Sequence, residues 1–342
     1  MRGFGGLRME VILPMMMTII EVLILIVGFV CLIKGADIFV NGSSQLAKRF
    51  KVPGLIIGLT IVALGTSAPE MAVSTIAAIQ GANEIALSNV VGSNIFNLLA
   101  VLGICAIIFP LPVDKTVLRR DFPVTIIVTL IVLFVSCGSV FLSGKFTEYS
   151  VEQDVGNVSR FLGIILILLF IIYIVVLIIS ARKNKEQEAD EGTILPLWKS
   201  ILFIVIGLAL VILGGQAVVY SAKEIARALG MSETLIGLTI VAVGTSLPEL
   251  VTSIMAARKG ETGMAIGNVI GSNIFNLMFI LGVSALINPV PVNMASVYDL
   301  IILAVISVIT FLLALSSKKI DRFEGVIMVL LYIGSVVFAV VR

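Results

Sequence analysis

The hydrophobic pattern of the chain consists of long apolar runs separated by short polar segments. A membrane-spanning helix needs about 20 mostly apolar residues, and ten runs approach or exceed that length. They lie at 15–33, 55–79, 84–109, 123–142, 161–181, 197–219, 234–257, 263–288, 299–316 and 325–341. The pattern therefore predicts an all-α integral membrane protein with ten transmembrane helices.

The composition agrees with this prediction. Of the 342 residues, 59% are hydrophobic and 13% are charged, and the mean hydropathy is +1.18. Soluble domains carry roughly 45–50% apolar and about 25% charged residues. An ordinary soluble enzyme, a disordered protein and a nucleic-acid binder are therefore excluded. The net charge of +2 indicates no particular partner. We expect contact with the lipid bilayer, and no cofactor, nucleic acid or protein partner.

The chain contains an internal repeat. Residues 55–103 align without a gap with residues 234–282 at a constant offset of 179, and 28 of the 49 positions are identical. The best matches are GLTIVALGTSAPE (58–70) with GLTIVAVGTSLPE (237–249), and NVVGSNIFNLLAVLG (89–103) with NVIGSNIFNLMFILG (268–282). Such self-similarity at a fixed spacing indicates that one structural unit occurs twice.

The repeat divides the chain into two halves with five predicted helices each. We assign 1–181 to the first repeat, 182–196 to a polar linker and 197–342 to the second repeat. Because five is an odd number, the second repeat enters the membrane from the opposite side, and the two copies are predicted to be inverted. Many secondary transporters are built this way, with the substrate site near the membrane midplane where the repeats meet.

Lysine and arginine are unevenly distributed between the two sides of the predicted helices. The loops after the odd-numbered helices carry 16 of these residues, and the other side, with both termini, carries 7. Cytoplasmic loops are enriched in Lys and Arg. This distribution predicts a multi-pass cell-membrane protein with extracellular termini and a cytoplasmic linker at 182–196.

Two carboxylates lie inside predicted membrane spans, at equivalent positions of the repeat. They are Glu70 and Glu249. An ionisable group at membrane depth costs about 2.5–3.5 kcal/mol or more and marks a functional site by default. Two buried carboxylates repel each other unless a cation compensates them. Together they neutralise one divalent cation such as Ca²⁺.

Other oxygen-bearing positions accompany each glutamate. Helical spacing places four residues of each repeat on one face: Ala63, Thr66, Ser67 and Glu70, and Ala242, Thr245, Ser246 and Glu249. Pro69 and Pro248 interrupt the helix, so that the carbonyls of Thr66 and Thr245 can turn outward. Broken helices whose carbonyls line a cavity coordinate cations in membrane proteins.

The next predicted helix of each repeat carries a polar stripe with a spacing of four residues. The two stripes are Asn89, Ser93 and Asn97, and Asn268, Ser272 and Asn276. Such stripes also serve as plain hydrogen-bonding contacts between helices. All-oxygen ligation suits Ca²⁺, Na⁺ and Mg²⁺, and Mg²⁺ dehydrates reluctantly, which favours Ca²⁺.

The paired motifs GTSAPE…GSNIFN and GTSLPE…GSNIFN resemble the alpha-repeats of the cation/calcium antiporter superfamily, specifically its sodium/calcium exchanger branch. The resemblance implies that Glu70, Glu249 and the carbonyls of Thr66 and Thr245 bind Ca²⁺. It implies that flanking Na⁺ sites use Ala63, Ser67, Ser93, Ala242, Ser246 and Ser272, and that Asn97 and Asn276 border the centre. It also implies that predicted helices 1 and 6 slide across the remainder to switch access.

One position departs from part of that family. Several members, including the potassium-dependent branch, carry aspartate where this chain carries Asn276. The resemblance and this departure together predict an electrogenic, K⁺-independent Na⁺/Ca²⁺ antiporter. The linker is also too short to hold the calcium-sensing domains of animal exchangers.

Three other functions remain open at this stage. A proton/calcium exchanger would protonate the glutamates in place of binding Na⁺, and transport with and without a Na⁺ gradient distinguishes it. A cation channel would show no counter-ion coupling. An intramembrane hydrolase would use Ser67 or Ser246, but the chain has no histidine, and no lysine lies beside either serine to act as a base. We therefore expect a transporter and not an enzyme.

Overall fold

The computed structural model describes residues 4–144, 149–183, 195–231, 240 and 242–341. The described residues of the first half form six helices: α1 (Phe4–Phe50), α2 (Gly54–Thr66), α3 (Ala68–Gln80), α4 (Asn83–Ile108), α5 (Phe122–Ser143) and α6 (Arg160–Lys183). The described second half contains six more: α7 (Leu197–Ala228), α8 (Ala242–Gly244), α9 (Leu247–Arg258), α10 (Thr262–Ile287), α11 (Met294–Ser317) and α12 (Arg322–Val341).

The helices confirm a multi-pass membrane architecture. Within the described residues, eight helices are long and apolar enough to cross a bilayer. Helices α2 and α3, which are bent by 48° at their junction, pass the same test together and bring the count to nine if they cross as one span. The predicted run 234–257 begins in a part of the chain outside the described residues. Most of the linker 182–196 also lies outside them. The count of ten helices therefore stays a prediction.

Two predicted helices are longer in the structure. The first apolar run was expected to end at residue 33, but α1 continues to Phe50, and α7 continues past residue 219 to Ala228. Charged residues such as Lys34 and Lys223 interrupt the apolar pattern, yet neither they nor their neighbours break a helix. Hydropathy thus locates the bilayer-crossing part of these helices and misses their polar ends.

Helices α1 and α7 pack along each other in opposite directions. A Cβ atom built at Gly28 would lie 3.1 Å from the carbonyl oxygen of Gly214, and one at Gly35 would lie 2.9 Å from that of Gly207. As residue numbers rise along α1, their partners on α7 fall, so the two helices are antiparallel. Small residues allow two backbones to approach this closely. The rest of the pair is largely exposed, since 28% of the apolar membrane-spanning segment of each helix is buried inside the protein.

Helices α4 and α10 form the centre of the protein. In each of them, 78% of the apolar membrane-spanning segment is buried inside the protein, the largest share among the described spans. Both contain a π-helical turn, at Asn97–Val101 and Phe275–Ile280. Such turns concentrate at functional sites because they locally change the direction of side chains.

The outer helices pack against this centre through reciprocal glycine contacts. A Cβ atom at Gly103 of α4 would lie 2.9 Å from the carbonyl oxygen of Gly325 on α12. One at Gly282 of α10 would lie 3.0 Å from the carbonyl oxygen of Gly163 on α6. Gly103 and Gly282 are equivalent positions of the repeat, so each half supplies the same contact to the other.

Four short strands also join the two halves. They are β1 (Leu111–Pro112), β2 (Asp154–Val158), β3 (Val290–Asn293) and β4 (Lys319–Ile320). β1 pairs with β4 and β2 pairs with β3, both antiparallel. The all-α prediction omits these strands because each one forms only against a partner from the distant half of the chain.

Candidate ion-binding site

Both repeats contain a broken helix just before the buried glutamate. In the first repeat α2 ends at Thr66, Ser67 leaves the helical conformation at φ −82° and ψ 10°, and α3 follows. In the second repeat Ser246 has φ −92° and ψ 8°, and α9 follows. In each case a proline stands in the first turn of the new helix, where its missing N–H costs nothing. The breaks lie where the prolines predict them.

The two glutamates are completely buried, and each is held by the opposite repeat. The Ser246 hydroxyl donates to Glu70 Oε1 at 3.1 Å, and the Ser67 hydroxyl donates to Glu249 Oε1 at 2.8 Å. All four side chains have no solvent exposure. The structure therefore brings the two carboxylates and the two predicted serines together in one buried cluster at the junction of the repeats.

Each glutamate keeps one oxygen without a protein partner. Glu70 Oε2 and Glu249 Oε2 are buried and accept no hydrogen bond from the described residues. Within the described part of the chain, no lysine or arginine forms an ion pair with either carboxylate. A buried carboxylate without compensation is strongly unfavourable. The arrangement is thus suited to a mobile cation as the missing partner.

The threonines lie at the breaks. The Thr66 hydroxyl is buried and lies within hydrogen-bonding distance of Val62 O at 3.1 Å and of Asn268 Oδ1 at 3.0 Å. Thr245 lies in the turn between α8 and α9 and is half-buried. The Thr66 side chain thus contacts its own helix and the Asn268 side chain of the opposite repeat. The role of the Thr66 and Thr245 carbonyls as ligands stays a prediction.

The remaining predicted Na⁺ positions lie around the same cluster. The Ser246 hydroxyl is 3.1 Å from the Ser93 hydroxyl, and the Ser272 hydroxyl is 3.5 Å from Ala63 O. Ser93 and Ser272 therefore contact the broken helix of the opposite repeat, as Ser67 and Ser246 do. The backbone of Ala242 begins α8, the short helix that precedes the second break.

The first asparagine of each stripe fastens the glutamate helix to its neighbour. Asn89 Nδ2 donates to Glu70 O at 3.2 Å and to Ser74 Oγ at 3.0 Å. At the equivalent place, Asn268 Nδ2 donates to Glu249 O at 3.4 Å and to Ser253 Oγ at 2.9 Å. These two amides make hydrogen-bonding contacts between helices, which is the alternative role given above for the polar stripes.

The last asparagine of each stripe belongs to a network that the sequence analysis did not identify. Asn97 Nδ2 donates to Asn273 Oδ1 at 3.1 Å, and Asn276 Nδ2 donates to Asn94 Oδ1 at 3.0 Å. Asn94 and Asn273 are fully buried. Both stand in the repeated GSN tripeptide, so their identity in the two copies was the available signal. Each of them directly follows a serine of the stripe, so it lies outside the four-residue spacing that defines the predicted stripe.

A cavity approaches the cluster from one direction. It has a volume of about 400 Å³ and lies between α3 and α7. Its lining includes Pro69, Gln216, Lys223, Thr245 and Pro248, so it extends from charged and polar residues of α7 to the break before α9. One of the predicted ligand positions, Thr245, is therefore among the residues that line this cavity.

The chain matches the sequence profile described as sodium/calcium exchanger protein over residues 20–179 and 199–341. It belongs to the sodium/calcium exchanger family. A solved structure of the sodium-calcium exchanger NCX_Mj superposes with a TM-score of 0.78 at 34% identity, over 95% of this chain and all of that one. As a family member, the protein is a multi-pass membrane antiporter of the cation/calcium class.

Whole-length relatives occur in bacteria and archaea. The sodium/calcium exchanger MaX1 of Methanosarcina acetivorans is 33% identical over 94% of this chain and 99% of its own length. The inner membrane protein YrbG of Escherichia coli is 36% identical over 85% of this chain and 87% of its own length. The similarity to these relatives therefore extends over most of the chain and is not confined to the site region.

Proposed function

We propose that this antiporter exchanges Na⁺ for Ca²⁺ by alternating access. The observation that carries the proposal is the crossed pair of buried glutamates, each held through one oxygen by a serine of the other repeat, and each with its second oxygen unpartnered among the described residues. Two carboxylates balance the charge of one Ca²⁺, and hard oxygen donors are the ligands that Ca²⁺ and Na⁺ prefer. The names of NCX_Mj and MaX1 support the same pair of ions.

The proposed ion assignment follows the positions of the oxygens. Ca²⁺ binds between the two glutamates and the backbone carbonyls of Thr66 and Thr245. Na⁺ binds at the flanks, where the serine hydroxyls and the carbonyls of the broken helices lie. The Na⁺ groups are Ala63, Ser67, Ser93, Ala242, Ser246 and Ser272, and the side-chain oxygens of Asn97 and Asn276 border the centre.

Alternating access rests on an inverted relation between the repeats. The antiparallel packing of α1 and α7 supports this relation, because these helices occupy equivalent places in the two halves. The cavity between α3 and α7 supports access from one side at a time. In the proposed cycle the equivalent path beside α9 opens when this cavity closes.

Exchange is proposed to be electrogenic and independent of K⁺. We propose that the oxygen-bearing groups on both flanks of the glutamates bind more than two Na⁺ in each cycle, so that each Ca²⁺ is replaced by an excess of positive charge. An elementary charge moved across 100 mV changes the free energy by about 2.3 kcal/mol. The amide at Asn276 leaves two carboxylates in the cluster and no third one to balance a K⁺ ion.

The direct test is ⁴⁵Ca²⁺ uptake into Na⁺-loaded proteoliposomes of the purified protein. We expect uptake that depends on the outward Na⁺ gradient at fixed pH and needs no K⁺. An inside-positive potential should accelerate this uptake, because net positive charge leaves the vesicle. Uptake driven by a proton gradient alone would favour proton/calcium exchange, and flux without counter-ion coupling would favour a channel.

The proposed membrane orientation has a separate test. Loop charge places Lys318 in the cytoplasm and Glu152 outside, and both residues are exposed. In a cysteine-free background, Lys318→Cys and Glu152→Cys should react with an impermeant maleimide from opposite sides of the membrane. Labelling of both from the same side would contradict the inverted repeats.

A further inference from the structure

Four buried asparagines form a closed network between α4 and α10. We call Asn94, Asn97, Asn273 and Asn276 the amide network. Its four hydrogen bonds are Asn94 Nδ2 to Asn273 O at 3.1 Å, Asn273 Nδ2 to Asn94 O at 3.2 Å, Asn97 Nδ2 to Asn273 Oδ1 at 3.1 Å and Asn276 Nδ2 to Asn94 Oδ1 at 3.0 Å. Every bond joins one repeat to the other.

The chemistry of the donors and acceptors determines which way each amide faces. A backbone carbonyl only accepts, so Asn94 must direct its NH₂ group toward Asn273 O. The Oδ1 atom of Asn94 then faces Asn276, and because Oδ1 also only accepts, Asn276 must offer its own NH₂ group. In the same way, Asn273 must direct its NH₂ group toward the backbone carbonyl of Asn94. The Oδ1 atom of Asn273 then faces Asn97, which must offer its own NH₂ group. The two backbone carbonyls, which cannot rotate independently, therefore set the orientation of all four amides.

The result is a pair of oxygens with a fixed direction and no protein partner. Asn97 Oδ1 and Asn276 Oδ1 are buried and accept no hydrogen bond from the described residues. Asn97 follows Ser93 by one helical turn, and Ser93 contacts Ser246, which holds Glu70. Asn276 follows Ser272 in the same way. The two free oxygens thus lie on the same polar stripes, one helical turn beyond the serines that contact the broken helix of the opposite repeat.

We infer that Asn94 and Asn273 are positioning residues that hold the amides of Asn276 and Asn97 with the oxygen toward the transported cation. Asn94 acts on Asn276 and Asn273 acts on Asn97, so each repeat orients an ion ligand of the other. The inference rests on the proposed function, because it takes Asn97 and Asn276 as cation ligands. Without its anchor, an amide can turn and present its NH₂ group, which repels a cation.

The test is a crossed rescue experiment with ⁴⁵Ca²⁺ exchange in proteoliposomes. Asn94→Ala should raise the KM for Ca²⁺ by about tenfold or more, the size expected when one hydrogen bond to a charged group is lost. The maximal rate should fall much less. In an Asn276→Asp background the same Asn94→Ala change should raise the KM no further, since a carboxylate presents an oxygen in either orientation.

An Asn97→Asp background is the matched control. Asn97 is anchored by Asn273 and not by Asn94, so Asn94→Ala should still raise the KM there. The mirror set, Asn273→Ala with rescue by Asn97→Asp alone, tests the same inference independently if Asn94→Ala does not fold. A merely structural role would give the same KM increase in every background, and that result would overturn the inference.

Failure of the inference and failure of the proposed site are distinguishable. Asn276→Leu removes the proposed ligand itself and should raise the KM for Ca²⁺. An unchanged KM in this variant would show that Asn276 is not a cation ligand, and the proposed site would fall together with the inference. A raised KM without the crossed rescue pattern would overturn the positioning role alone.

Discussion

The two repeats make equivalent contacts at the centre of the molecule and unequal contacts at its periphery. At the centre the contacts are reciprocal, since Ser67 holds Glu249 as Ser246 holds Glu70. At the periphery, equivalent surfaces pack differently. Leu247, Val251 and Met255 of α9 pack against α1, where Leu32 and Ala36 are buried. The equivalent surfaces of α3 and α7 are separated by the open cavity.

Side-chain size accounts for part of this difference. The repeat offset matches Leu247 with Ala68 and Val251 with Ala72, and it matches Ala36 with Gly215. The packed side therefore has the larger residue at each of these three positions. Apolar area removed from contact with water or an aqueous cavity contributes about 25 cal/mol per Å². The larger residues favour closure beside α9, and the smaller ones leave the cavity beside α3.

Polar contacts at the helix ends add to the same asymmetry. Lys259 Nζ lies 2.8 Å from Asp37 Oδ1, and Ser44 donates to Glu261, which fastens the end of α1 to the loop after α9. The repeat offset replaces Lys259 and Asp37 by two neutral residues, Gln80 and Gln216. No ion pair can form between those two side chains. Identical residues of the two repeats thus build the central cluster, while differing residues around it pack one side more tightly than the other.

Loss of either central carboxylate should have the largest effect. We expect Glu70→Gln and Glu249→Gln each to reduce Ca²⁺ exchange by at least about a hundredfold, since removing one partner of a buried charge pair costs about 3–5 kcal/mol. The central contacts are reciprocal, so the two losses should be similar. The measurement is ⁴⁵Ca²⁺ uptake, with size-exclusion chromatography as the folding control. Near-normal exchange in either variant would contradict the site.

Equivalent glycine contacts should have matched stability costs. Gly103→Ala and Gly282→Ala each place a methyl group within 3.0 Å of a neighbouring atom, and overpacking of this kind costs about 1–3 kcal/mol. Thermal unfolding in detergent measures the loss. Gly334→Ala is the control, because its Cβ meets nothing within 4 Å among the described residues. A loss in only one of the matched pair would mean that the reciprocal packing is unequal.

Accessibility should separate the equivalent positions Ala72 and Val251. Ala72 is exposed in the cavity, whereas Val251 is half-buried against α1. In a chain without its three cysteines, Ala72→Cys should react with a water-soluble maleimide much faster than Val251→Cys. Addition of Ca²⁺ and Na⁺ under turnover should narrow the difference as both sides open in turn. Equal rates without ions would refute the asymmetry of access.

The smallest effect should follow loss of the Lys259–Asp37 ion pair. The two side chains are 23% and 41% exposed, and ion pairs of this kind contribute about 0.2–1 kcal/mol. We expect Lys259→Gln to increase maleimide labelling of Val251→Cys by a few fold. The matched control is Lys223→Gln at the opposite end of the molecule, which should leave this labelling unchanged. An effect of equal size in both variants would show that general charge, and not the ion pair, is responsible.

The sequence by itself determined the membrane class, the family and the composition of the cluster. Apolar runs of bilayer length locate the helices. Hydrocarbon offers no hydrogen-bond partner to the backbone, and a helix is the structure that satisfies its backbone groups within a single run. The duplicated GTSAPE and GTSLPE motifs identify two carboxylates and two breaks, since proline cannot accept a preceding helical turn without losing a hydrogen bond and instead favours the first turn of a new helix. These features depend on residues that are neighbours in the chain.

Only the tertiary structure decided the contacts between the halves. The hydrogen bonds of Ser67 with Glu249 and of Asn276 with Asn94, and the pairing of β1 with β4, all join residues far apart in the chain. Local pattern carries no information on such partners, because a hydrogen bond depends on where the backbone returns and not on spacing. The tighter packing beside α9 than beside α3 is likewise a tertiary property, and it follows small differences in size and charge between two surfaces that the repeat makes equivalent.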